Sequence, residues 1–133
     1  MAKTMTFMRR VLWGGLVAAG LAVASVSAQA QSPAFLSAIE DLPLMPGLTE
    51  DVDGALQFDT ANGRIAEITA SGVASPSAVT DFYRRTLPQL GWQQVAPASY
   101  QREGEVLAID VVELGANRIE VEVHFRVSPV DVK

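Results

Sequence analysis

The chain contains no cysteine and only one histidine in 133 residues. The missing thiol excludes disulfides, thiolate metal sites, a thiol nucleophile and a lipid-modified amino-terminal cysteine. With one imidazole and no thiolate, a metal would have to be held by carboxylates, which points to calcium or magnesium and to no transition metal. No Gly-x-Ser-x-Gly elbow is present, so a hydrolytic triad has no nucleophile presented by motif. At this length the chain has room for one domain.

What is present is unevenly distributed. Lys3, Arg9 and Arg10 precede an uncharged apolar run over residues 11–26, followed by Ser27, Ala28, Gln29 and Ala30. A basic start, an apolar middle and a small-x-small site are the three parts of a secretory signal peptide. We therefore expect residues 1–30 to be a leader cleaved after Ala30, and the mature protein to be periplasmic. The competing reading is an uncleaved anchor, the one route by which this chain would meet a membrane. Residues 11–28 are near the short end of a bilayer span, and four Ala and three Gly weaken the run further.

Removing 30 of the 133 residues leaves 103, with seven of the ten basic residues and all fifteen acids, a net charge of −8. The remaining arginines are dispersed, so no basic stripe exists for nucleic acid or anionic lipid.

Residues 31–54 read as a lead-in. Ser32-Pro33 pairs a capping residue with a first-turn proline, so residues 34–40 are expected to form a short helix presenting Phe35, Leu36 and Ile39. Pro43 and Pro46-Gly47 then impose an irregular strap. From residue 55 to 133 the pattern is β-β-α-β-β-β. Two β-capable runs flank Ala61-Asn62-Gly63, a hairpin signal. Ser75-Pro76 opens a helix whose Val79, Phe82, Tyr83, Leu87 and Leu90 share one face. Pro88 and Gly91 should end it. Residues 118–127 alternate strictly, with Ile119, Val121, Val123, Phe125 and Val127 against Arg118, Glu120, Glu122, His124 and Arg126, the pattern of a half-buried strand. Residues 105–113 are apolar on both faces and broken only by Asp110, which suits a central strand covered on both sides; the strap is the natural second cover. The expected fold class is α+β, two layers, one main helix packed on an antiparallel sheet of four to five strands.

Four groups could carry chemistry, and each has a plainer reading. His124 sits in the charged half of an alternating strand, where a surface role is ordinary. Glu50, Asp51 and Asp53-Gly54 resemble the start of a calcium loop, but the glycine comes too early and the distal glutamate is missing. Arg64 with Glu67, or Arg102 with Glu105, could form a recognition patch beside hairpin turns, though such charges mostly solvate the turn. Arg84-Arg85 fits a helix-end pair better than an anion site.

The segments Phe58-Asp59 with Gly63-Arg64-Ile65, Phe82-Tyr83 through Leu87-Pro88-Gln89-Leu90-Gly91-Trp92, and Arg102-Glu103-Gly104-Glu105 resemble a group of uncharacterised small exported proteins of Gram-negative, alphaproteobacterial origin. The resemblance covers roughly residues 40–128 and rests mainly on the FY…LPQLGW stretch. It implies a periplasmic location and brings no activity, cofactor or catalytic residue.

The leading expectation is a non-enzymatic accessory module that meets another envelope protein through a sheet edge or face, with no catalytic, cofactor or metal residue. The alternative is a small-ligand binder with a pocket between helix and sheet lined by Tyr83, Trp92 and Tyr100. A carboxylate-dependent hydrolase using Asp110 is the third.

Overall fold

The computed structural model describes residues 32–131; the leader expected over residues 1–30 lies outside the described residues. Among the described residues no helix is long and apolar enough to cross a membrane. Seven antiparallel strands make one sheet: β1 (Leu48–Glu50), β2 (Leu56–Thr60), β3 (Gly63–Val73), β4 (Gln93–Ala96), β5 (Ser99–Arg102), β6 (Glu105–Leu114) and β7 (Glu120–Pro129). One helix, α1 (Pro76–Thr86), runs into a 3₁₀ turn, Leu87–Leu90.

The alternation at the end of the chain organises the sheet. In β7, Val121, Val123, Phe125 and Val127 are buried, while His124 and Arg126 point to the other side and are exposed. β7 is central, paired with β3 from Ala66↔Val127 to Val73↔Glu120 and with β6 from Glu105↔Pro129 to Leu114↔Glu120. Strands β6, β5 and β4 follow in order as a meander. The β5–β6 turn is Glu103-Gly104, with φ of 48° and 83°, the pair of positive angles that matches strand twist in a two-residue hairpin. On the far side of β3 two short strands share one edge. β2 covers Gly63 to Glu67, β1 covers Ala70 to Gly72, and the chain between them turns outward, its Gly54 N–H donating to Asp51 Oδ1 at 3.3 Å. β1 lies so close that a Cβ on Gly72 would overlap the carbonyl oxygen of Gly47.

One face of this sheet is covered. Ser75 caps α1, its Oγ accepting from Ala78 N–H at 3.2 Å. Val79, Tyr83 and Leu87 are buried, and the Tyr83 ring meets Phe125 edge-on at 5.3 Å. Pro88 cannot donate an amide, so the helix tightens into the 3₁₀ turn, and Gly91 at φ 87° closes it by donating to the Leu87 and Pro88 carbonyls. Beside the helix lies the strap. Phe35 and Pro43 form an antiparallel bridge, Leu36 N–H donates to Leu42 O at 3.0 Å and Leu44 N–H to Ala34 O at 2.7 Å. This closed loop pushes Leu36, Ile39 and Leu42 into the core, each at most 1% exposed.

Tyr83 joins strap to helix. Its hydroxyl donates to Pro43 O at 3.0 Å and accepts Met45 N–H at 3.2 Å. Burial pushes the phenol well above its ordinary pKa, with the Met45 amide working weakly in the opposite direction.

Three expectations are corrected. The fold is not a two-layer α+β domain with a main helix on four to five strands. It is mostly sheet, seven antiparallel strands with helical structure confined to residues 76–90. The undercount has two sources: the lead-in contributes β1, and the three long strands of ten or eleven residues dominate the molecule. Residues 34–40 form no helix, because the Phe35–Pro43 bridge takes their hydrogen bonds. The strap does not cover the second face of β6; strap and helix lie on the same side, joined in one core.

Candidate functional site: the uncovered sheet face

Cross-strand pairs fix which residues share the opposite face. Reading across β3, β7 and β6, its rows are Ile65–Ser128–Val106, Glu67–Arg126–Ala108, Thr69–His124–Asp110, Ser71–Glu122–Val112 and Val73–Glu120–Leu114. β2 adds Phe58 beside Ile65 and Leu56 beside Glu67. Apolar side chains thus sit at both ends of the strands and charged ones in the middle. Leu56, Phe58, Val73 and Val112 are between 47% and 68% exposed, whereas their counterparts on the other face are buried.

The middle is where sequence candidates meet. Asp110 and His124, far apart in the chain, are direct cross-strand neighbours, and Thr69 flanks His124 on the other side. His124 Nδ1 lies 3.2 Å from Thr69 Oγ1 and Nε2 lies 2.9 Å from Glu122 Oε1. Arg126 Nε binds Glu67 Oε1 at 2.7 Å. A shallow hollow of about 260 Å³ is lined by Glu67, Thr69, Asp110, His124 and Arg126.

A hydroxyl, an imidazole and a carboxylate in a row have the composition of an acyl-transfer site, but other requirements are missing. The strand amides around Thr69 are engaged in ladders with β7 and β1, so no backbone pair is aimed at a developing oxyanion. The one guanidinium in the hollow is bound to Glu67. His124 is 47% exposed, so water is not excluded. Among the described residues, no group of three or more His, Asp or Glu could hold a metal ion.

The other candidates are structural. Glu50 accepts Ser37 N–H at 2.8 Å and ties the strap to β1, and Asp51 caps its own turn. The expected pairings of Arg64 with Glu67 and of Arg102 with Glu105 are both replaced. Arg64 makes a two-pronged contact with Glu105, at 2.8 and 3.2 Å. Arg102 binds Asp41 on the strap, donates to Leu90 O at 3.0 Å and lies over the Trp92 ring, 4.4 Å from its centroid. The swap follows from register, which puts Arg64, Arg102 and Glu105 on the covered face and Glu67 on the open one. Partial burial alone would raise the Asp41 pKa, but the hydrogen bond and charge of Arg102, with Arg64 behind them, hold it below the ordinary aspartate value. The Glu105 hydrogen bond raises that of Arg64. Arg84 pairs with Asp81 at 2.7 Å and Arg85 donates to the Asp81 carbonyl, both along the helix.

Tyr83, Trp92 and Tyr100 are all buried, at 1–2% exposure. The gap between helix and sheet is about 40 Å³, touches Tyr83 and Tyr100 but not Trp92, and has room for a water or two rather than an organic ligand.

Sequence reasoning missed this face as a unit. The doubly apolar β6 pattern was its signal, since Val106, Ala108 and Val112 answer to nothing in the fold. Comparison with family models, curated proteins and solved structures returns no match.

Proposed function

We propose that this is an exported, non-enzymatic interaction module whose working surface is the uncovered sheet face. The observation that carries the reading is the asymmetry of the sheet. Leu56, Phe58, Val73 and Val112 stay about half exposed or more across a face with no catalytic constellation, and an apolar area of this extent on a soluble domain marks a contact surface. The exposed edges β2 and β4 extend it to strand addition. The ligand-pocket alternative has little support in a 40 Å³ gap.

A photo-crosslinking residue at Val112, introduced into the full chain expressed in a Gram-negative host, tests the surface. A discrete, saturable crosslinked product is expected there and none from the same residue at Thr80 on the helix; no product at Val112 overturns the reading. Export is tested on the same cells. Periplasmic material whose first residue is Gln31 is expected, and a cytoplasmic or membrane-bound chain retaining residue 1 overturns it.

A further inference from the structure

We propose that the occupant of the uncovered face is a second copy of this chain, packed sheet to sheet about a two-fold axis that crosses the strands at His124. This rests on the reading of that face as the working surface and names its partner.

The argument is one of register. A two-fold axis in the plane between two facing sheets can run across the strands or along them. If it crosses them through the Thr69–His124–Asp110 row, each strand lies over its own copy running the opposite way, and the five rows exchange end for end. Ile65 then lies over the second copy's Val73, Val106 over its Leu114, and Ala108 over its Val112. Symmetry doubles each apolar pair. Arg126, the face's sole cation among these rows apart from His124, lies over the second copy's Glu122. Glu67 and Glu120 fall over Ser71 and Ser128. One like-charge pair remains, Asp110 over its own copy at the axis.

An axis along β7 gives the opposite result. It would set Glu120, Glu122 and Arg126 each against itself, three like-charge pairs in a row, which disfavours that arrangement. The charges on this face therefore select one of the two axes, and the apolar ends agree with the selection. Aligned sheets pack with a rotation of about 30°, which preserves the contacts nearest the axis.

The size is adequate. Strands of ten residues and a width of about four strands make a face of roughly 30 by 20 Å, on the order of 600 Å² in projection. Its accessible area is larger than the projection, and a stable interface needs about 800 Å² per partner. A cationic polypeptide, the other occupant that the four carboxylates would attract, is an outcome that the experiment can return instead.

The test uses the protein as recovered from expressing cells. Sedimentation velocity over a concentration series should show a reversible monomer–dimer equilibrium. Arg126→Glu should weaken it about tenfold or more, and adding Glu122→Arg should restore it. Asp110→Asn should tighten it several-fold by removing the like-charge pair. Because the chain has no cysteine, single introduced thiols report geometry. With a short bis-maleimide, Asp110→Cys should crosslink to itself. Val106→Cys alone should not, since its copies would be about 27 Å apart, but Val106→Cys mixed with Leu114→Cys should. A monomer at every concentration overturns the proposal, as does a dimer indifferent to Arg126→Glu or one that crosslinks Val106→Cys to itself. A monomer that still gives a saturable heterologous product at Val112 removes self-pairing and leaves the interaction-module reading standing; a monomer that gives none removes both.

Discussion

The two faces of the same three strands have opposite fates. On one, Ala66, Ile68, Ala70, Leu107, Ile109, Val121, Val123, Phe125 and Val127 are buried beneath α1 and the strap. On the other, Val106, Ala108 and Val112 alternate with Asp110, and the charged half of β7 faces outward. Burial of apolar area is worth roughly 25 cal/mol per Å², so the first face supplies most of what holds the monomer together. The second supplies little to the monomer and remains available to something else. What separates them is chiefly the lead-in: a segment without regular structure ties Leu36, Ile39 and Leu42 into the core through its own bridge and through Tyr83.

The comparison breaks first at Trp92. The ring is 1% exposed beneath the Arg102 guanidinium, and Trp92→Ala should cost about 3–5 kcal/mol in urea unfolding. Ile39→Ala, in the strap, should cost about 2–5 kcal/mol; a loss under half a kcal/mol would show the strap to be an appendage and return the covered face to the helix alone. Tyr83→Phe keeps the ring and removes its hydroxyl, leaving Pro43 O and Met45 N–H without their partner, at about 1–3 kcal/mol.

Sequence exposed the two faces unequally. The alternation in β7, the Ser75-Pro76 cap, the Gly91 terminator and the Asn62-Gly63 hairpin were all legible, because each is a local rule satisfied by neighbouring residues. β1 was not. Its three residues follow Pro46-Gly47, and they form a strand only because Gly72 lets the Gly47 carbonyl come close, a pairing with residues more than twenty positions away. The same limit misassigned the ion pairs. Arg64 has Glu67 three residues away in its own strand, yet three residues on a strand means opposite faces, and its true partner Glu105 arrives through β6. For the candidate face, each residue was visible singly, Asp110 as an oddity and His124 as a surface residue. Their adjacency is a fact of register that no local pattern encodes.

Acid sharpens the contrast by acting on the covered side. Asp41 titrates below its ordinary value because of Arg102 and Arg64. A carboxyl whose folded pKa is depressed contributes stability above its unfolded value, near 3.9, and loses it as pH falls through the folded one. Wild type should therefore lose stability below about pH 4, and Asp41→Asn should flatten part of that slope while lowering the plateau at neutral pH. Asp110→Asn on the open face, whose carboxylate has no ion pair among the described residues, should leave the acid limb of the monomer in place. Paired urea titrations at pH 3 to 7 read both.

The smallest effect is the most diagnostic. Val112→Ser replaces an apolar side chain in the middle of a ten-residue strand, a change that on the covered face would be severe. Val112 is 47% exposed, so its removal uncovers little and should shift monomer stability by no more than about 0.5 kcal/mol, measured by urea unfolding at a concentration low enough to keep the chain monomeric. The same substitution should weaken association at the open face, where Val112 lies in the row beside the Asp110–His124 pair. A residue that matters to contact and not to folding is what separates a working surface from an unfinished core. Were Val112→Ser to cost as much as Ile39→Ala in the monomer, the second face would have to be buried within the chain, and the distinction between the two sides of the sheet would fail.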